Sequence, residues 1–368
     1  MELRLKNLYT DFRDADTIKA FAKIIKEDAI KLKYPINIME VCGTHTVAFF
    51  HTGVKDIFPD MLNLVDGPGC PVCVTANGYL DRAIEIQKKH NVILATFGDM
   101  IKVPASYSSL QKLRSEGGKI EVVYSPMDAL EIAKENSNVE VVFLSVGFET
   151  TTPTEAVTVK RAIDEHVRNF SILTGNKLTP PAVEALLMSE EVKIDGFILP
   201  GHVSIITGSD RWGFLAKKFN KPAVISGFES SDLIMGSLRL LQMIIEEEIS
   251  VENLYKEVVT NEGNTLAIEL IDELFDTVDA NWRGIGVIPK SGLKLKDKYS
   301  EFDAEKKFQV EVPKEIEDKR CRCGEVLRGL ITPPKCPLFA NICTPREPVG
   351  ACMVSFEGAC SAYYKYRK

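Results

Sequence analysis

Short runs of β-branched and aliphatic residues recur along the first two thirds of the chain, and a turn rich in Gly, Thr or Ser follows each run. Amphipathic segments with a helical period come after most of these turns. This alternation is typical of a parallel α/β sheet, in which helices connect successive strands. The predicted strands are INIMEV (36–41), LNLV (62–65), VILATF (92–97), IEVVY (120–124), VEVVFLSV (139–146), DGFILP (195–200) and PAVIS (222–226).

Two helices carry clear start signals. SPMD at 125–128 and TPTE at 152–155 each place a capping hydroxyl before a proline at the first helical position, with an acid at the third. The pentapeptide GFETT (147–151) is echoed by GFESS (227–231), and each follows a predicted strand and opens a helix. The echo favours two similar α/β units, although two short matches are a weak basis for a duplication.

The pattern changes after about residue 260, where one helix precedes a long irregular stretch and a tail rich in Cys and Pro. Because a domain usually has about 100–200 residues, the chain is long enough for several. We predict an α/β domain at 1–137, a second, similar α/β domain at 138–260, and a Cys-rich domain at 261–368.

The composition is that of a folded globular protein, with 45% hydrophobic and 26% charged residues. A net charge of −7 leaves no basic surplus, so nucleic acid is not an expected partner. The N-terminal stretch has no signal-peptide core, and the longest apolar run, VEVVFLSVGF, is far shorter than the roughly 20 residues that span a bilayer. We expect a cytoplasmic protein that does not bind membranes.

The nine cysteines fall into two groups. A reducing cytosol disfavours a disulfide scaffold, so we interpret them as metal ligands, catalytic thiols or redox pairs. The first group is Cys42, Cys70 and Cys73, and the second is Cys321, Cys323, Cys336, Cys343, Cys352 and Cys360.

The first candidate site is VCGTHT (41–46), directly after a predicted strand. Loops at the carboxyl ends of strands form the binding crevice of open α/β sheets. Cys42 can serve there as a soft metal ligand or a nucleophile, and His45 as a second ligand, a base or an orienting group. The alternative is an ordinary helix start, capped by Thr44 or Thr46, with Cys42 merely buried.

The second candidate site is GPGCPVC (67–73). A Cys-x-x-Cys spacing brings two sulfurs close enough for a disulfide or a shared metal, and the prolines stiffen the turn. Gly67 and Gly69 permit close approach of the backbone to a ligand. A zinc ribbon needs a second Cys-x-x-Cys about 15–20 residues away, and none occurs there. Redox chemistry or transient metal binding by Cys70 and Cys73 is the favoured interpretation, with structural zinc as the alternative.

The third candidate site is the tail, whose six cysteines can supply the four thiolates of an iron-sulfur cubane. Pro337 follows Cys336, as proline sometimes follows an iron-sulfur ligand. Structural zinc with four Cys ligands competes with this interpretation, because soft thiolates suit both metals. The spacing alone does not separate the two.

The fourth group comprises GFETTTP (147–153) and PGHVS (200–204), both at predicted strand ends. Exposed amides, hydroxyls and the Glu149 carboxylate can hold a small polar group or move a proton there. The alternative is structural, with Thr152 capping a helix and Glu149 accepting surface hydrogen bonds. His202 follows Pro-Gly at a strand end, where a histidine is rarely a core residue.

Taken together, the motifs CGTHT, GPGCPVC, GFETT and PGHVS and the tail CxCGEVLRG…C…CTP…EGAC resemble the HypD family of [NiFe]-hydrogenase maturation proteins, in order and over essentially the whole chain. The resemblance implies two related α/β domains that face each other and a cluster-bearing domain at the C-terminus. It implies a scaffold that acts with the small chaperone HypC while iron receives its diatomic ligands. HypE would deliver cyanide to this complex.

The resemblance also implies residue roles. Cys42 would bind the iron, an Fe(II) with CN and CO ligands carried as transient cargo, and Cys70 and Cys73 would be a thiol-disulfide pair. The expected ligands of a [4Fe-4S] cluster in the tail are Cys323, Cys336, Cys343 and Cys360, with Cys321 and Cys352 as the spare cysteines.

Low-spin Fe(II) favours soft thiolate donors. Our hypothesis is that the tail cluster feeds electrons to Cys70 and Cys73, whose turn faces Cys42 across a cleft. His45 and Thr46 complete the first wall, and His45 orients or protonates a cyanide-bearing group. The expected opposite wall consists of Glu149, Thr150 and His202.

Two other functions remain open at this point. One is an iron-sulfur-dependent thiol-disulfide oxidoreductase, which would have no task for Cys42. The other is a zinc-bound assembly module without electron transfer. Whether the protein is an enzyme in the formal sense does not follow from the sequence.

Overall fold

The computed structural model describes residues 15–367. The strands are β1 (Ile36–Glu40), β2 (Leu62–Asp66), β3 (Ile93–Thr96), β4 (Ile120–Val122), β5 (Val141–Ser145), β6 (Phe170–Thr174), β7 (Gly196–Pro200), β8 (Ala223–Ser226), β9 (Val251–Asn253), β10 (Phe275–Trp282) and β11 (Gly286–Leu295). The helices are Ala15–Ala29, Gly43–His51, Pro71–Val74, Asn77–His90, Leu110–Ser115, Pro126–Glu135, Thr152–Asp164, Thr179–Leu187, Gly201–Thr207, Phe214–Phe219, Ser230–Ile245, Thr265–Leu274, Ala304–Lys307, Cys323–Leu327 and Ala359–Tyr366.

Two parallel sheets are built from these strands, as the sequence pattern predicts for the α/β part of the chain. The first sheet has the order β2-β1-β7-β8-β9, and the second has the order β4-β3-β5-β6. All of the predicted strands are present within one or two residues of their expected ends. The pattern missed β6, β9 and the antiparallel hairpin β10–β11.

The strand order corrects the predicted boundary at 137/138. The first sheet takes β1 and β2 from the segment 1–137 and β7, β8 and β9 from the segment 138–260, and the second sheet likewise draws on both segments. For example, Ile38 of β1 lies opposite Gly196 of β7. Strands that are buried on both faces look alike in sequence, so the hydrophobic pattern does not show which of them are neighbours.

The two sheets share the arrangement 2-1-3-4 when the strands of each are numbered in chain order. In such doubly wound sheets a crevice opens where the strand order reverses, at the carboxyl ends of the strands. In the first sheet this place lies between β1, which leads into CGTHT, and β7, which leads into PGHVS. In the second sheet it lies beside β5, which leads into GFETT.

The pentapeptide echo does not mark equivalent positions. GFETT follows β5, the third strand of its sheet in chain order, whereas GFESS follows β8, the fourth strand of the other sheet. Each does precede a helix, Thr152–Asp164 and Ser230–Ile245 respectively. The two echoes therefore share a local strand-turn-helix form without sharing a place in the sheet.

One of the two predicted helix starts is confirmed. The Ser125 side chain accepts a hydrogen bond from the Met127 N–H at 3.0 Å, and the Asp128 carboxylate accepts from the Ser125 N–H, which completes a capping box. Thr152 is different, because its hydroxyl donates to the Phe148 carbonyl at 3.0 Å instead of capping the helix.

Helices cover the first sheet, and the C-terminal tail returns to it. Ser230–Ile245 packs on β7 and β8 and against Ala15–Ala29. Ala359–Tyr366 packs against Gly43–His51, where the rings of Phe50 and Tyr363 meet at 4.6 Å. The tail therefore lies beside the loop that follows β1. In the described part of the chain we found no helix with the length and apolar character needed to cross a bilayer.

Candidate metal and thiol site

Cys42 lies at the carboxyl end of β1 and begins the helix Gly43–His51. Its N–H donates to Glu40 Oε2 at 2.9 Å, and the Thr46 hydroxyl donates to the other oxygen of the same carboxylate. Glu40 is buried, and burial followed by repulsion from Asp66 raises its pKa. This carboxyl group therefore ties both ends of the first helical turn to the strand. Thr46 holds the loop in place, and no local motif indicates the role of Glu40.

The turn GPGCPVC lies directly against this loop, in backbone contact with it, whereas the sequence hypothesis placed the two across a cleft. Gly43 N–H donates to the Gly69 carbonyl at 2.8 Å, and Gly67 N–H donates to the Glu40 carbonyl at 2.8 Å. A Cβ on Gly69 would lie 2.3 Å from the Cys42 nitrogen, closer than any real contact of that kind. Glycine is needed here because two backbones touch.

Cys70 and Cys73 form a disulfide in this turn. Cys70 precedes the short helix Pro71–Val74, and its sulfur accepts a hydrogen bond from the Cys73 N–H at 3.1 Å. Both cysteines are buried, with exposed fractions of 3% and 0%. The prolines and the helix hold the pair in a fixed geometry beside Cys42.

The Cys42 thiol lies in a buried environment close to carboxylates. Burial raises its pKa to about 12, and the negative charges of Glu357 and Glu40 add to the effect. Glu357 comes from the tail, and its Oε1 accepts a hydrogen bond from the Thr44 hydroxyl at 2.7 Å. The free thiol is therefore protonated at neutral pH and would lose its proton when a metal binds. No sequence motif connected Glu357 with this loop.

His45 is completely buried within the same helix. Its Nε2 lies 2.9 Å from the Gly227 carbonyl, so the ring donates a hydrogen bond from Nε2, and its Nδ1 has no hydrogen-bond partner among residues 15–367. Burial lowers the pKa of His45 to about 4, so the ring is neutral at pH 7. A neutral ring with Nε2 already engaged suits an orienting role, and it is not a source of an imidazolium proton.

His202 follows β7 and lies close to His45, whereas the sequence hypothesis placed it on the opposite wall with Glu149 and Thr150. The His202 and His45 rings both pack on Phe228, with centroid distances of 3.9 Å and 4.7 Å. His202 is more exposed than His45, and partial burial lowers its pKa as well. Phe228 belongs to the GFESS echo, so this pentapeptide supplies the ring that joins the two histidines.

Glu149 occupies a structural position. Its Oε1 accepts from the Thr179 N–H at 2.8 Å and its Oε2 accepts from the Thr179 hydroxyl at 2.9 Å. It therefore caps the helix Thr179–Leu187. This agrees with the alternative interpretation of Glu149 as a hydrogen-bond acceptor, except that the residue is buried and does not lie at the surface. Thr150 is exposed beside it. The described contacts do not join either residue to Cys42.

Replacing Glu149 with glutamine is expected to remove part of the pH dependence of stability. Burial raises the pKa of Glu149 from 4.5 to about 7, so between these values the folded protein holds a proton that the unfolded chain releases. The free energy of unfolding therefore falls by about 3 kcal/mol as pH rises through this window, and it is constant above it. Urea denaturation at pH 4.5 and pH 7.5 should show a smaller fall in the free energy of unfolding for Glu149→Gln than for the unmodified protein.

Glu190→Gln is the matched control, because Glu190 is exposed and lies just beyond the helix Thr179–Leu187, which Glu149 caps. It should show the same fall as the unmodified protein. An equal fall in Glu149→Gln would mean that the Glu149 carboxyl is already ionised in the folded state.

All six cysteines of the tail line one small cavity. Apolar side chains, including Leu338, Phe339 and Met353, complete its wall. Thiol hydrogen bonds link Cys321 to Cys323, Cys323 to Cys352, and Cys352 to Cys360. The space that the sulfurs enclose is about 10 Å³, so they pack against one another and would separate around a cluster.

The donor set is chemically compatible with a thiolate-ligated cluster. Among residues 15–367, no group of three or more His, Cys, Asp and Glu side chains is arranged to hold one metal ion. Six soft sulfurs in an apolar cavity are the donors that iron-sulfur clusters use.

Arg283, which sequence reasoning missed, lies beside these sulfurs. It is 5% exposed, and its charge interacts with Cys323, Cys352 and Cys321. In the part of the chain that is described, it forms no ion pair with a carboxylate, although the charge of Glu317 acts on it more strongly than Cys352 or Cys321 does. A buried guanidinium cannot lose its charge and is costly without an anion. An anionic cluster or a thiolate would supply that anion.

Arg283 also touches the disulfide turn. Its backbone N–H donates to the Val74 carbonyl at 2.9 Å and its Nε donates to the Thr75 carbonyl at 2.7 Å. The helix Pro71–Val74 in addition packs against the segment Ala351–Met353, which contains Cys352. The disulfide and the six-cysteine cavity are therefore neighbours.

Comparison with known proteins places these features in one family. A HypD family model, described as a hydrogenase formation hypA family, matches residues 16–367. The hydrogenase maturation factor HypD of Escherichia coli K12 is 42% identical over 363 residues, covering 97% of each chain. HypD of Azotobacter vinelandii is 42% identical over 97% of this chain and 96% of the relative, and HypD of Rhizobium leguminosarum is 41% identical over 97% and 94%. The similarity covers the sheets as well as the cysteine motifs.

Proposed function

The chain belongs to the HypD family of hydrogenase maturation factors, and from this premise we propose that it is the scaffold on which, together with HypC, an iron ion receives cyanide and carbonyl ligands. The iron with its diatomic ligands is the cargo of this reaction. The observation that carries the proposal is the convergence of Cys42, the Cys70–Cys73 disulfide and the six tail cysteines on one region of the molecule.

Cys42 would bind the iron as a thiolate, with a second thiolate from HypC. Thiolates suit low-spin Fe(II), which cyanide and carbonyl ligands favour. The Glu40 carboxyl fixes the Cys42 loop through the Cys42 N–H and the Thr46 hydroxyl, so the sulfur has a defined position before metal binds. HypE would bring cyanide to the complex.

His45 and His202 would form the wall of the iron site, on the common ring of Phe228. His45 remains neutral and held through Nε2, so it orients neighbouring groups and adds no charge beside the iron. Glu149 would act through the helix that it caps, at the carboxyl edge of the second sheet, and the exposed Thr150 lies beside it.

A [4Fe-4S] cluster would be held by Cys323, Cys336, Cys343 and Cys360, and when bound it would supply electrons one at a time. Arg283 would balance its negative charge. Reduction of the Cys70–Cys73 disulfide consumes two electrons and two protons and yields two thiols. The packing of Pro71–Val74 on Ala351–Met353 supports an exchange of electrons between these two regions.

Iron analysis and Mössbauer spectra of anaerobically purified protein test the proposal through two variants. Cys42→Ala should lose the iron that is not part of a cluster and keep the cluster signal, because Cys42 lies outside the six-cysteine cavity. Cys336→Ala should lose the cluster signal. Infrared spectra of the complex with HypC should show cyanide and carbonyl stretches only when Cys42 is present.

Unchanged non-cluster iron in Cys42→Ala would rule out Cys42 as the ligand. The disulfide in this structure leaves a second candidate function, an iron-sulfur-dependent thiol-disulfide oxidoreductase. That function predicts that Cys42→Ala reduces a partner's disulfide as fast as the unmodified protein. A colourless protein that contains zinc would contradict both candidates.

A further inference from the structure

A second cavity, of about 430 Å³, lies at the carboxyl end of β6, and none of the cysteines lines it. This volume is within the range of small-molecule sites. Its walls come from four segments: the first turns of the helix Asn77–His90, the loop 174–177, the hairpin β10–β11, and residues 303–315. The cavity is therefore separate from the iron and thiol site.

Lys177 contributes a buried ammonium group to this wall. The residue is 6% exposed, and in the described part of the chain its ammonium group makes neither a hydrogen bond nor an ion pair. Its Nζ lies over the Trp282 ring, 5.6 Å from the centroid. Burial lowers the pKa of Lys177 to about 8, and the charge of Glu315 offsets only part of the loss of water. A bound anion would stabilise the charged form of the Lys177 ammonium group.

The helix Asn77–His90 points its N-terminus at the same cavity. Its N-cap residue, Ala76, provides no side-chain hydrogen bond, and Gly78 and Tyr79 of the first turn line the wall. The amide of Gly78 has no acceptor among the described residues. Free amides at the start of a 14-residue helix attract anions. They supply a second group of donors beside the Lys177 ammonium.

Each acidic residue of the wall has at least one partner, although Glu315 Oε1 and Asp303 Oδ2 accept no hydrogen bond from the described residues. Glu305 pairs with Arg82 at 3.1 Å and with Lys294 at 3.6 Å, and Glu315 Oε2 accepts from the Asn281 amide at 3.1 Å. The remaining two, Asp279 and Asp303, each accept a backbone N–H. The carboxylates therefore do not neutralise Lys177, but their charge repels a ligand that carries several negative charges.

We propose that this cavity is a binding site for a small molecule with one oxyanion group, a carboxylate or a phosphate, held by the Lys177 ammonium and the N-terminal amides of the helix Asn77–His90. The acidic rim excludes polyanions such as pyrophosphate and nucleic acid. The site does not involve Cys42 or the tail cysteines. An experiment that contradicts this site therefore leaves the proposed maturation function unaffected, and the reverse also holds.

Thermal unfolding and calorimetric titration of the full chain test the site with acetate, inorganic phosphate and pyrophosphate. Sodium chloride at equal ionic strength is the reference. Acetate or phosphate should raise the unfolding midpoint in a concentration-dependent way, and pyrophosphate should bind more weakly. Acetate binding identifies a carboxylate site, and phosphate binding identifies a phosphate site.

Lys177→Met should weaken binding of the effective anion by roughly ten- to a hundredfold, because it removes a charge-assisted hydrogen bond. Without anion its unfolding midpoint should equal or exceed that of the unmodified protein, since a buried charge without a partner has been removed. If Lys177→Met does not fold, Lys177→Gln provides the same test.

Lys218→Met is the control, because Lys218 pairs with Glu184 away from the cavity. It should bind the anion as the unmodified protein does. The proposal is overturned if neither acetate nor phosphate stabilises the unmodified protein beyond sodium chloride, or if Lys177→Met and the unmodified protein respond equally.

Discussion

Replacing Arg283 with methionine is expected to prevent binding of the proposed iron-sulfur cluster in the tail and to lower the free energy of unfolding by about 2–4 kcal/mol. In the unmodified protein, Arg283 Nε donates to the Thr75 carbonyl at 2.7 Å and Nη2 donates to the Pro104 carbonyl at 3.1 Å. Methionine would leave both carbonyl groups without this partner. Each buried polar group left unpaired costs about 1–3 kcal/mol. The negative charge of a cluster would also lose its buried cation.

Iron and acid-labile sulfide per chain, together with urea denaturation of the same samples, measure the two effects separately. Arg283→Lys keeps the charge but lacks the planar group that reaches both carbonyls. Its cluster content and its free energy of unfolding should therefore lie between those of Arg283→Met and those of the unmodified protein. Arg322→Met is the matched control, since Arg322 is a partly exposed arginine near the same cysteines that pairs with Glu325. A full cluster content in a stably folded Arg283→Met would contradict the role of Arg283 as counter-ion.

Replacing Gly69 with alanine should separate the disulfide turn from Cys42. The added Cβ would lie 2.3 Å from the Cys42 nitrogen, 2.5 Å from its Cα and 2.6 Å from the Val41 carbonyl carbon. All of these are backbone atoms, so one of the two loops has to move. We expect a loss of about 3 kcal/mol in stability, at the upper end of overpacking effects, and loss of the iron that Cys42 is proposed to bind.

Gly98→Ala is the control for this prediction. A Cβ on Gly98 meets only Val122 Cγ1 at 3.6 Å, which is an ordinary contact, so stability and iron content should be preserved. The measurements are urea denaturation and the Mössbauer ratio of non-cluster to cluster iron. If Gly69→Ala keeps both its stability and its non-cluster iron, the close approach of these loops is not required for the site.

Much of the fold follows from local sequence signals. Strands such as β5 and β7 are buried along their whole length and appear as continuous apolar runs, which short-range patterning detects. The edge strand β9, Val251–Asn253, is only partly buried and lacks such a run, so it was missed. The strand Phe170–Thr174 was missed for a different reason: a polar Ser171 interrupts a segment that is otherwise apolar.

The candidate site divides in a similar way. The chemistry of Cys42, Cys70 and Cys73 follows from residue type and spacing, and the structure places the two loops in contact. The buried partners Glu40 and Arg283 have no motif around them. Nothing in the local sequence distinguishes them from the many charged residues that lie in solvent, because their importance comes from burial and from neighbours far along the chain.

The amino-acid sequence by itself determined the α/β class, the positions of most strands, the clustering of cysteines into two groups, and the resemblance to the HypD family. These properties depend on residue type, periodicity and spacing over a few residues. Tertiary structure alone decided that β1 and β2 join β7, β8 and β9 in one sheet, and that Glu149 caps a helix instead of facing Cys42. It also placed Arg283 between the disulfide turn and the tail. Such pairings depend on which apolar surfaces and charges meet after the chain has folded, and the same local pattern is compatible with several of them.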